Sequence, residues 1–228
     1  MLFFLFFSSL SIMCIIFKSE NLFLVAKTCV FPSILFYYLE RTIKINKIFL
    51  IVLIIFYSVD LLLILQINNL IFYLAILLNI NHLIILVYSI QNIEKIKINV
   101  SHFLFTIFLF SIGCLIQYLI FISIVTTDEK SAMMIFISGM LVVVFSSIAF
   151  YNYSIRSNYK NFYFGFACLS IGFMYAFYDI YKYIFYSDIL KILSLICNVL
   201  SYYFFIKFFL ADERIQQKLT MLKAKKPR

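Results

Sequence analysis

The chain has 228 residues, of which 65% are hydrophobic and 13% are charged, and its mean hydropathy is +1.05. This composition excludes an ordinary soluble domain and predicts a membrane protein with little mass outside the bilayer. The net charge of +9 does not indicate a nucleic-acid-binding protein, because the basic residues lie mostly in the connections between apolar segments, where they set membrane orientation.

Eight apolar segments have about the length that crosses a bilayer as a helix. In chain order they are Leu2–Phe17, Leu22–Leu39, Ile48–Ile67, Leu70–Ile90, Phe103–Val125, Ala132–Ser154, Phe162–Ile184 and Ile189–Leu210. The alternating pattern of a transmembrane barrel is absent, and four glycines and two prolines leave no linker between domains. We therefore predict an all-α polytopic membrane protein, one bundle of eight transmembrane helices over residues 1–210, with a short basic tail over residues 211–228.

Lysine and arginine residues lie mostly on one side of the predicted bundle. When successive connections alternate between the two sides, one side receives thirteen of these residues and the other receives four. The positive-inside rule then places both termini in the cytoplasm, and we expect the basic tail to contact anionic lipids. The excess of Phe, Ile, Tyr, Asn and Lys is typical of an AT-rich genome, so we expect an integral protein of a bacterial inner membrane.

Four ionisable residues lie inside the apolar segments, namely Lys27, Asp60, His82 and Asp179. An aspartate near the centre of a transmembrane helix costs about 2.5–3.5 kcal/mol on insertion scales, so it normally faces a partner or a wet cavity. By helical rise, Lys27 and the two aspartates lie within about two turns of the outer ends of their helices, and His82 lies nearer the midplane. All four can therefore meet in the outer half of one bundle, which predicts a functional site there.

Polar neighbours accompany three of these residues on the same helix faces. The pairs are Tyr57 with Asp60, Asn79 with His82, and Tyr175 with Asp179, each three or four residues apart. We expect Tyr57, Asn79 and Tyr175 to support the site, because an unpartnered polar group in hydrocarbon costs several kcal/mol. Structural alternatives stay open: an ion pair of Asp179 with Lys27 or Lys182, a packing role for His82, and a Lys27 ammonium that reaches the outer interface.

Small residues mark one face of the seventh segment. Gly165, Gly172, Asp179 and Tyr186 recur at seven-residue intervals, and small residues let membrane helices approach closely. We therefore expect this stripe to face protein, with Asp179 pointing inward.

A proline interrupts the second segment. Pro32 has no N–H to donate to the carbonyl of Thr28, so we expect a kink and a polar carbonyl close to Lys27. A polar carbonyl near the lysine suits a site for an anionic head group.

The order of these motifs resembles the YhhN family of eight-helix membrane proteins, which includes lysoplasmalogenases. The resemblance covers about residues 25–209 and rests on A-K-T-C-V-F-P, F-Y-S-V-D-L-L-L, L-N-I-N-H and F-Y-D-I-Y-K, followed by S-Y-Y. Where that family has K-P, G-D and S-D, this chain keeps the charged residue and has Thr28, Val59 and Tyr178 beside it.

The resemblance implies hydrolysis of the vinyl ether bond of a lysoplasmalogen or a related single-chain ether lysolipid, taken from the bilayer. One carboxylic acid would protonate the enol ether, and a second carboxylate or His82 would direct water to the resulting cation, much as in glycosidases. The implied catalytic pair is Asp60 and Asp179, and Lys27 is the implied phosphate partner. Neither a cofactor nor a metal is expected.

Two other classes of protein stay open. One is a proton-coupled carrier that uses the same carboxylates as a relay, and the other is a non-enzymatic relative whose polar groups only hold helices together. The five cysteines share no C-x-x-C spacing, so we expect neither a disulfide framework nor a zinc site.

Overall fold

The computed structural model describes residues 1–64, 71–91, 100–125 and 129–224, with side chains described for 1–62, 73–91, 100–125 and 132–215. This part of the chain forms eight α-helices and one π-helical turn, and it contains no strand. The elements are α1 (Leu2–Ile16), α2 (Glu20–Arg41), α3 (Lys47–Ile64), α4 (Ile71–Gln91), α5 (Val100–Val125), α6 (Glu129–Ile155), α7 (Tyr159–Asp179), the π turn (Ile180–Ile184) and α8 (Asp188–Ala224).

The helices confirm the prediction of an all-helical membrane protein. Six of them, α2 and α4 to α8, are long and apolar enough to cross a membrane, while α1 is shorter, with 15 residues. The predicted segments agree with the helices within three residues wherever both ends are described, if the π turn is counted with α7, except at the end of α8. That helix continues without a break through Leu210 to Ala224, so most of the predicted tail is helical.

Some sequence predictions fall outside the described residues. The ends of the third and fourth predicted segments, Ile67 and Leu70, lie there, and so do the side chains of several basic residues used to predict orientation: Lys95, Lys97, Lys130, Lys218, Lys223, Lys225, Lys226 and Arg228.

Six helices close a ring in the order α2, α3, α4, α6, α7 and α8, each packed against the next. The two remaining helices lie outside this ring, α1 against α2 and α8, and α5 against α6, α7 and the π turn. The outward face of α5 is apolar and exposed, as lipid contact requires; it includes Phe103, Leu104, Phe105, Phe108, Leu115 and Leu119.

The packing repeats between the two halves of the chain. The contacts of α1 with α2, of α2 with α3 and of α3 with α4 have counterparts in α5 with α6, α6 with α7 and α7 with α8. The halves join in matching ways, α4 against α6 and α8 against α2. Asp60 on α3 and Asp179 on α7 therefore lie on equivalent helices, a relation that no sequence repeat had indicated.

We call the end of the bundle that carries Arg41, Lys44, Arg156 and Lys160 the basic end. Two neighbouring carboxylates on α8 bind other elements there. Glu213 accepts hydrogen bonds from the connection between α2 and α3, from the N–H of Ile43 at 2.9 Å and of Lys44 at 2.6 Å and from the Thr42 hydroxyl at 2.9 Å.

Next to Glu213, the Asp212 carboxylate pairs with the Lys160 Nζ atom at 2.7 Å, where α7 begins. These two carboxylates belong to the bundle rather than to a solvated tail.

The glycine stripe of α7 faces α6, as expected, but it does not require glycine. A Cβ atom at Gly165 would lie 3.7 Å from the Ala149 carbonyl oxygen, and one at Gly172 would lie 3.5 Å from Val142, so alanine fits both positions. The prediction that Tyr186 continues the stripe is wrong, because α7 gives way to the π turn and Tyr186 lies in the following connection, 75% exposed. The helical register of the stripe therefore ends near Asp179.

Candidate functional site

Asp60 of α3 lies in the half of the bundle away from the basic end, which we call the far half, and two other helices contact its carboxylate. The Lys27 Nζ atom of α2 lies 3.5 Å from Oδ1. From α8, the Tyr202 hydroxyl donates to Oδ2 at 3.1 Å, and the Asn198 Nδ2 atom donates to the same oxygen at 3.5 Å. One cation and two hydrogen-bond donors suit a carboxylate anion.

Asn198 and Tyr202 are the residues of this cluster that sequence reasoning missed. They are four residues apart, so they share one face of α8, and both are buried. Asn198 also donates to the Met174 sulfur atom at 3.0 Å, which ties α8 to α7 beside the cluster. The available signal was an amide and a phenol at helical spacing inside an otherwise apolar span.

Tyr57 joins α3 to α2 rather than binding Asp60. Its hydroxyl donates to the main-chain carbonyl of Thr28 at 3.4 Å, and its ring stacks on Phe31 with centroids 4.3 Å apart. Pro32 leaves that same carbonyl without its helical donor, so the expected free carbonyl has found a partner on the next helix.

A cleft lies between α2, α3 and α8, and Lys27 and Asp60 line it. Its empty volume is about 320 Å³ with the open mouth included, but the room inside is about that of one water molecule. The Lys27 and Asp60 side chains are each about one-fifth exposed there. Most of the lining is apolar or aromatic: Val30, Phe31, Tyr57, Leu61, Leu195, Val199 and Tyr202.

Asp179 ends α7 in the far half, immediately before the π turn, and is 6% exposed. Among the described residues, no side chain or main-chain group gives its carboxylate a hydrogen bond or an ion pair. Of the expected alternative partners, Lys27 binds Asp60. The Lys182 ammonium lies over the rings of Tyr183 at 5.2 Å and Tyr178 at 5.9 Å, and its charge acts on Asp179 without an ion-pair contact. Single π turns in helices are frequent at functional sites.

Tyr175 lies within electrostatic range of both carboxyl groups, Asp60 and Asp179, and so does Tyr178 one turn further along. The ring of Tyr175 meets the ring of His82 edge to face, with centroids 5.2 Å apart. The predicted supporting residue on α7 therefore lies between the carboxylates and the predicted histidine on α4.

His82 is fully buried inside the ring of helices. Its Nδ1 atom and the Ser138 hydroxyl of α6 lie 2.9 Å apart in a hydrogen bond, and its Nε2 atom has no partner in the described structure. Asn79 faces α6 as well, and its Nδ2 atom donates to the Met134 carbonyl at 3.5 Å. His82 and Asn79 thus share a face, as predicted, but they contact α6 rather than Asp60 or Asp179.

The site contains two carboxyl groups in contrasting surroundings. Asp60 has a cation and two donors and reaches the cleft, whereas Asp179 is enclosed without a donor among the described residues. Such a contrast lets one carboxylate act as a base while the other holds a proton.

In comparison with known proteins, no family model matches this chain, and no curated protein sequence or solved structure matches it either.

Proposed function

We propose that the protein is an integral membrane hydrolase of the YhhN type that cleaves the vinyl ether bond of lysoplasmalogens or of a related single-chain ether lysolipid. The observation that carries the proposal is the pairing of unlike carboxyl groups, Asp60 held by Lys27 and Tyr202, and Asp179 enclosed without a donor among the described residues. Tyr175 lies within electrostatic range of both carboxyl groups, which supports their use in one reaction.

The proposal includes a membrane topology. All eight helices span the bilayer, both termini lie in the cytoplasm, and the basic end faces the anionic lipids of the cytoplasmic leaflet. The site then lies in the outer half of the bundle, and its substrate comes from the bilayer.

Asp179 acts as the acid and Asp60 as the base. A buried carboxyl group without hydrogen-bond donors is best accommodated in its neutral form, since an unpaired charge in a low-dielectric site is costly. Asp60 is already paired with a cation and with donors, which stabilises it as an anion. This contrast assigns different roles to two chemically identical side chains.

The reaction follows from these roles. The Asp179 carboxyl group gives its proton to the enol ether carbon that is not bonded to oxygen, which leaves an oxocarbenium ion and an Asp179 carboxylate. Water adds to the cationic carbon while Asp60 accepts a proton from it, and the resulting hemiacetal splits into a fatty aldehyde and the glycerol hydroxyl of the head-group fragment. Return of the proton to Asp179 completes the cycle.

Lys27 binds the phosphate of the lysolipid in this proposal. Its ammonium lies at the edge of the cleft, partly exposed, so a phosphate oxygen can share it with Asp60. A head group is larger than the space inside the cleft, so binding requires α2 and α3 to separate. The Tyr57 hydrogen bond to Thr28 and the stacking of Tyr57 on Phe31 oppose this separation, together with the Lys27–Asp60 ion pair.

Aldehyde release from a lysoplasmalogen by the purified protein tests the proposal. We expect turnover in the wild type and its loss in Asp60→Asn and in Asp179→Asn. Asp188→Asn is the matched control, because Asp188 is an exposed carboxylate in the first turn of α8. Unchanged turnover in both site variants would remove the catalytic assignment, and absence of turnover in the wild type would remove the hydrolase.

A second candidate is a proton-coupled carrier, which the repeated packing of the two four-helix halves favours. Parallel repeats related by an axis along the membrane normal are common in carriers, and their ion sites lie between the halves. Here the equivalent helices α3 and α7 each contribute one carboxylate. Proton-coupled uptake in liposomes that is lost in Asp60→Asn and Asp179→Asn would support the carrier, while neither uptake nor turnover would favour a non-enzymatic relative.

A further inference from the structure

One turn of α4 concentrates buried polar atoms without partners. Within the described structure, four side-chain atoms between Asn79 and His82 are enclosed and have no hydrogen-bond partner: Asn79 Oδ1, Asn81 Oδ1, Asn81 Nδ2 and His82 Nε2. Asn81 and His82 are both fully buried. Neither the Asp60 cluster nor the packing of α4 against α6 uses these atoms.

The unpartnered state of His82 Nε2 does not depend on the tautomer of the ring. When Ser138 donates to Nδ1, the Nε2 atom carries a proton that needs an acceptor, and when Nδ1 donates to Ser138, the Nε2 atom carries a lone pair that needs a donor. In both cases a buried polar atom of His82 is left without a partner.

Leaving four such atoms without any hydrogen-bond partner costs too much free energy. An unsatisfied polar group in hydrocarbon costs several kcal/mol, and buried polar atoms in proteins normally bond to protein groups or to ordered water. Asn81 offers an acceptor and a donor next to His82 on the helix, and a buried water molecule normally bonds to two to four such polar groups.

We propose that the turn Asn79–His82 of α4 is a binding site for water inside the ring of helices. Asn81 provides both a donor and an acceptor, and His82 provides Nε2 on a ring that meets the Tyr175 ring edge to face, with centroids 5.2 Å apart. Tyr175 in turn lies within electrostatic range of the Asp60 and Asp179 carboxyl groups. The site does not depend on the proposed hydrolase, but it supplies water where a hydrolase or a proton relay consumes it.

X-ray radiolytic footprinting with mass spectrometry tests the site, because radicals formed from bound water label the side chains next to it. The reporter is His82 and the internal control is Cys168, which is equally buried but lies in the apolar core. Sulfur side chains react faster with hydroxyl radicals than imidazoles do. Labelling of His82 while Cys168 stays unlabelled is therefore the expected result, and protection of both residues would overturn the proposal.

A pair of variants shows whether the turn itself holds the water. Asn81→Leu is expected to abolish labelling of His82, whereas Asn152→Leu is expected to leave it unchanged, because Asn152 is a buried amide with an unpartnered oxygen elsewhere on α6. If the turn is dry, Asn81→Leu removes two unsatisfied atoms, so the melting temperature rises and His82 stays unlabelled throughout. That result would overturn the proposal, as would His82 labelling that persists in Asn81→Leu. If Asn81→Leu does not fold, the comparison of His82 with Cys168 labelling in the wild type still shows whether the turn binds water.

Discussion

The Tyr57 hydroxyl donates to the main-chain carbonyl of Thr28 at 3.4 Å, across the gap between α3 and α2. Pro32 lacks the N–H that would bind this carbonyl within α2, so the interhelical bond replaces a missing helical one. The bond lies beside the cleft that exposes Lys27 and Asp60, so one proline on α2 determines how α2 is attached at the site.

A double-mutant cycle tests whether the Tyr57 hydrogen bond to the Thr28 carbonyl replaces the helical hydrogen bond that Pro32 cannot make. We expect Tyr57→Phe to lower the free energy of unfolding by about 1 kcal/mol, because it leaves the Thr28 carbonyl without a donor. In a Pro32→Ala background the alanine N–H can bind the carbonyl, so the cost of Tyr57→Phe falls toward zero. Denaturation in detergent micelles measures both costs, and equal costs in the two backgrounds would contradict the pairing.

Tyr202 is expected to matter for activity more than for stability. Tyr202→Phe removes the donor to Asp60 Oδ2 and keeps the ring that packs edge to face on Phe56. A hydrogen bond to a charged group contributes about 1.5–3 kcal/mol of stabilising free energy. If Asp60 loses that stabilisation in the reaction, the rate of aldehyde release should fall by about tenfold or more. Tyr203→Phe is the matched control, because its ring lies under Lys207 and not in the Asp60 cluster. An equal loss in both variants would contradict a specific role for Tyr202.

The helices were predictable because long apolar runs leave a membrane chain few alternatives, and the site residues were predictable because intramembrane charges are rare. Lys27 and Asp60 are such charges, and they form an ion pair. Their partners Asn198 and Tyr202 were not predictable, because contact with Asp60 depends on how α8 is rotated against α3. That rotation follows from side-chain packing around the whole ring, so the amide and the phenol at helical spacing indicated a polar face on α8 but not the residue that it contacts.

Local chemistry was informative where a residue acts on its own helix. The missing N–H of Pro32 predicted a free carbonyl at Thr28, and that carbonyl is available to a neighbouring helix. The glycine stripe was less informative, because spacing predicts a shared face but not the distance to the next helix. The glycines with real steric constraint, Gly113 and Gly139, lie on α5 and α6 and have no repeating pattern.

Gly139 is expected to be intolerant of alanine. A Cβ atom there would overlap the amide end of Gln117, which is buried at 4% exposure, so Gly139→Ala should destabilise the protein by about 1–3 kcal/mol. Shortening the partner in Gln117→Ala should remove most of this cost in the double variant. Gly172→Ala is the control, because its Cβ would make an ordinary contact 3.5 Å from Val142. Thermal unfolding measures all four proteins, and an equal loss at both glycines would contradict the steric explanation.

Glu213 is expected to hold the connection between α2 and α3 closed. Glu213→Ala leaves the N–H groups of Ile43 and Lys44 without their acceptor, and hydrogen bonds to a carboxylate contribute about 1.5–3 kcal/mol. Opening of the connection between α2 and α3 should then become about tenfold more frequent. If the connection recloses faster than trypsin cleaves, the rate of cleavage after Lys44 should rise by the same factor. Glu40→Ala removes the same charge from an exposed position on α2 and should leave the cleavage rate unchanged. An equal increase of the cleavage rate over wild type in the two variants would show that charge, and not the hydrogen bonds of Glu213, protects this connection.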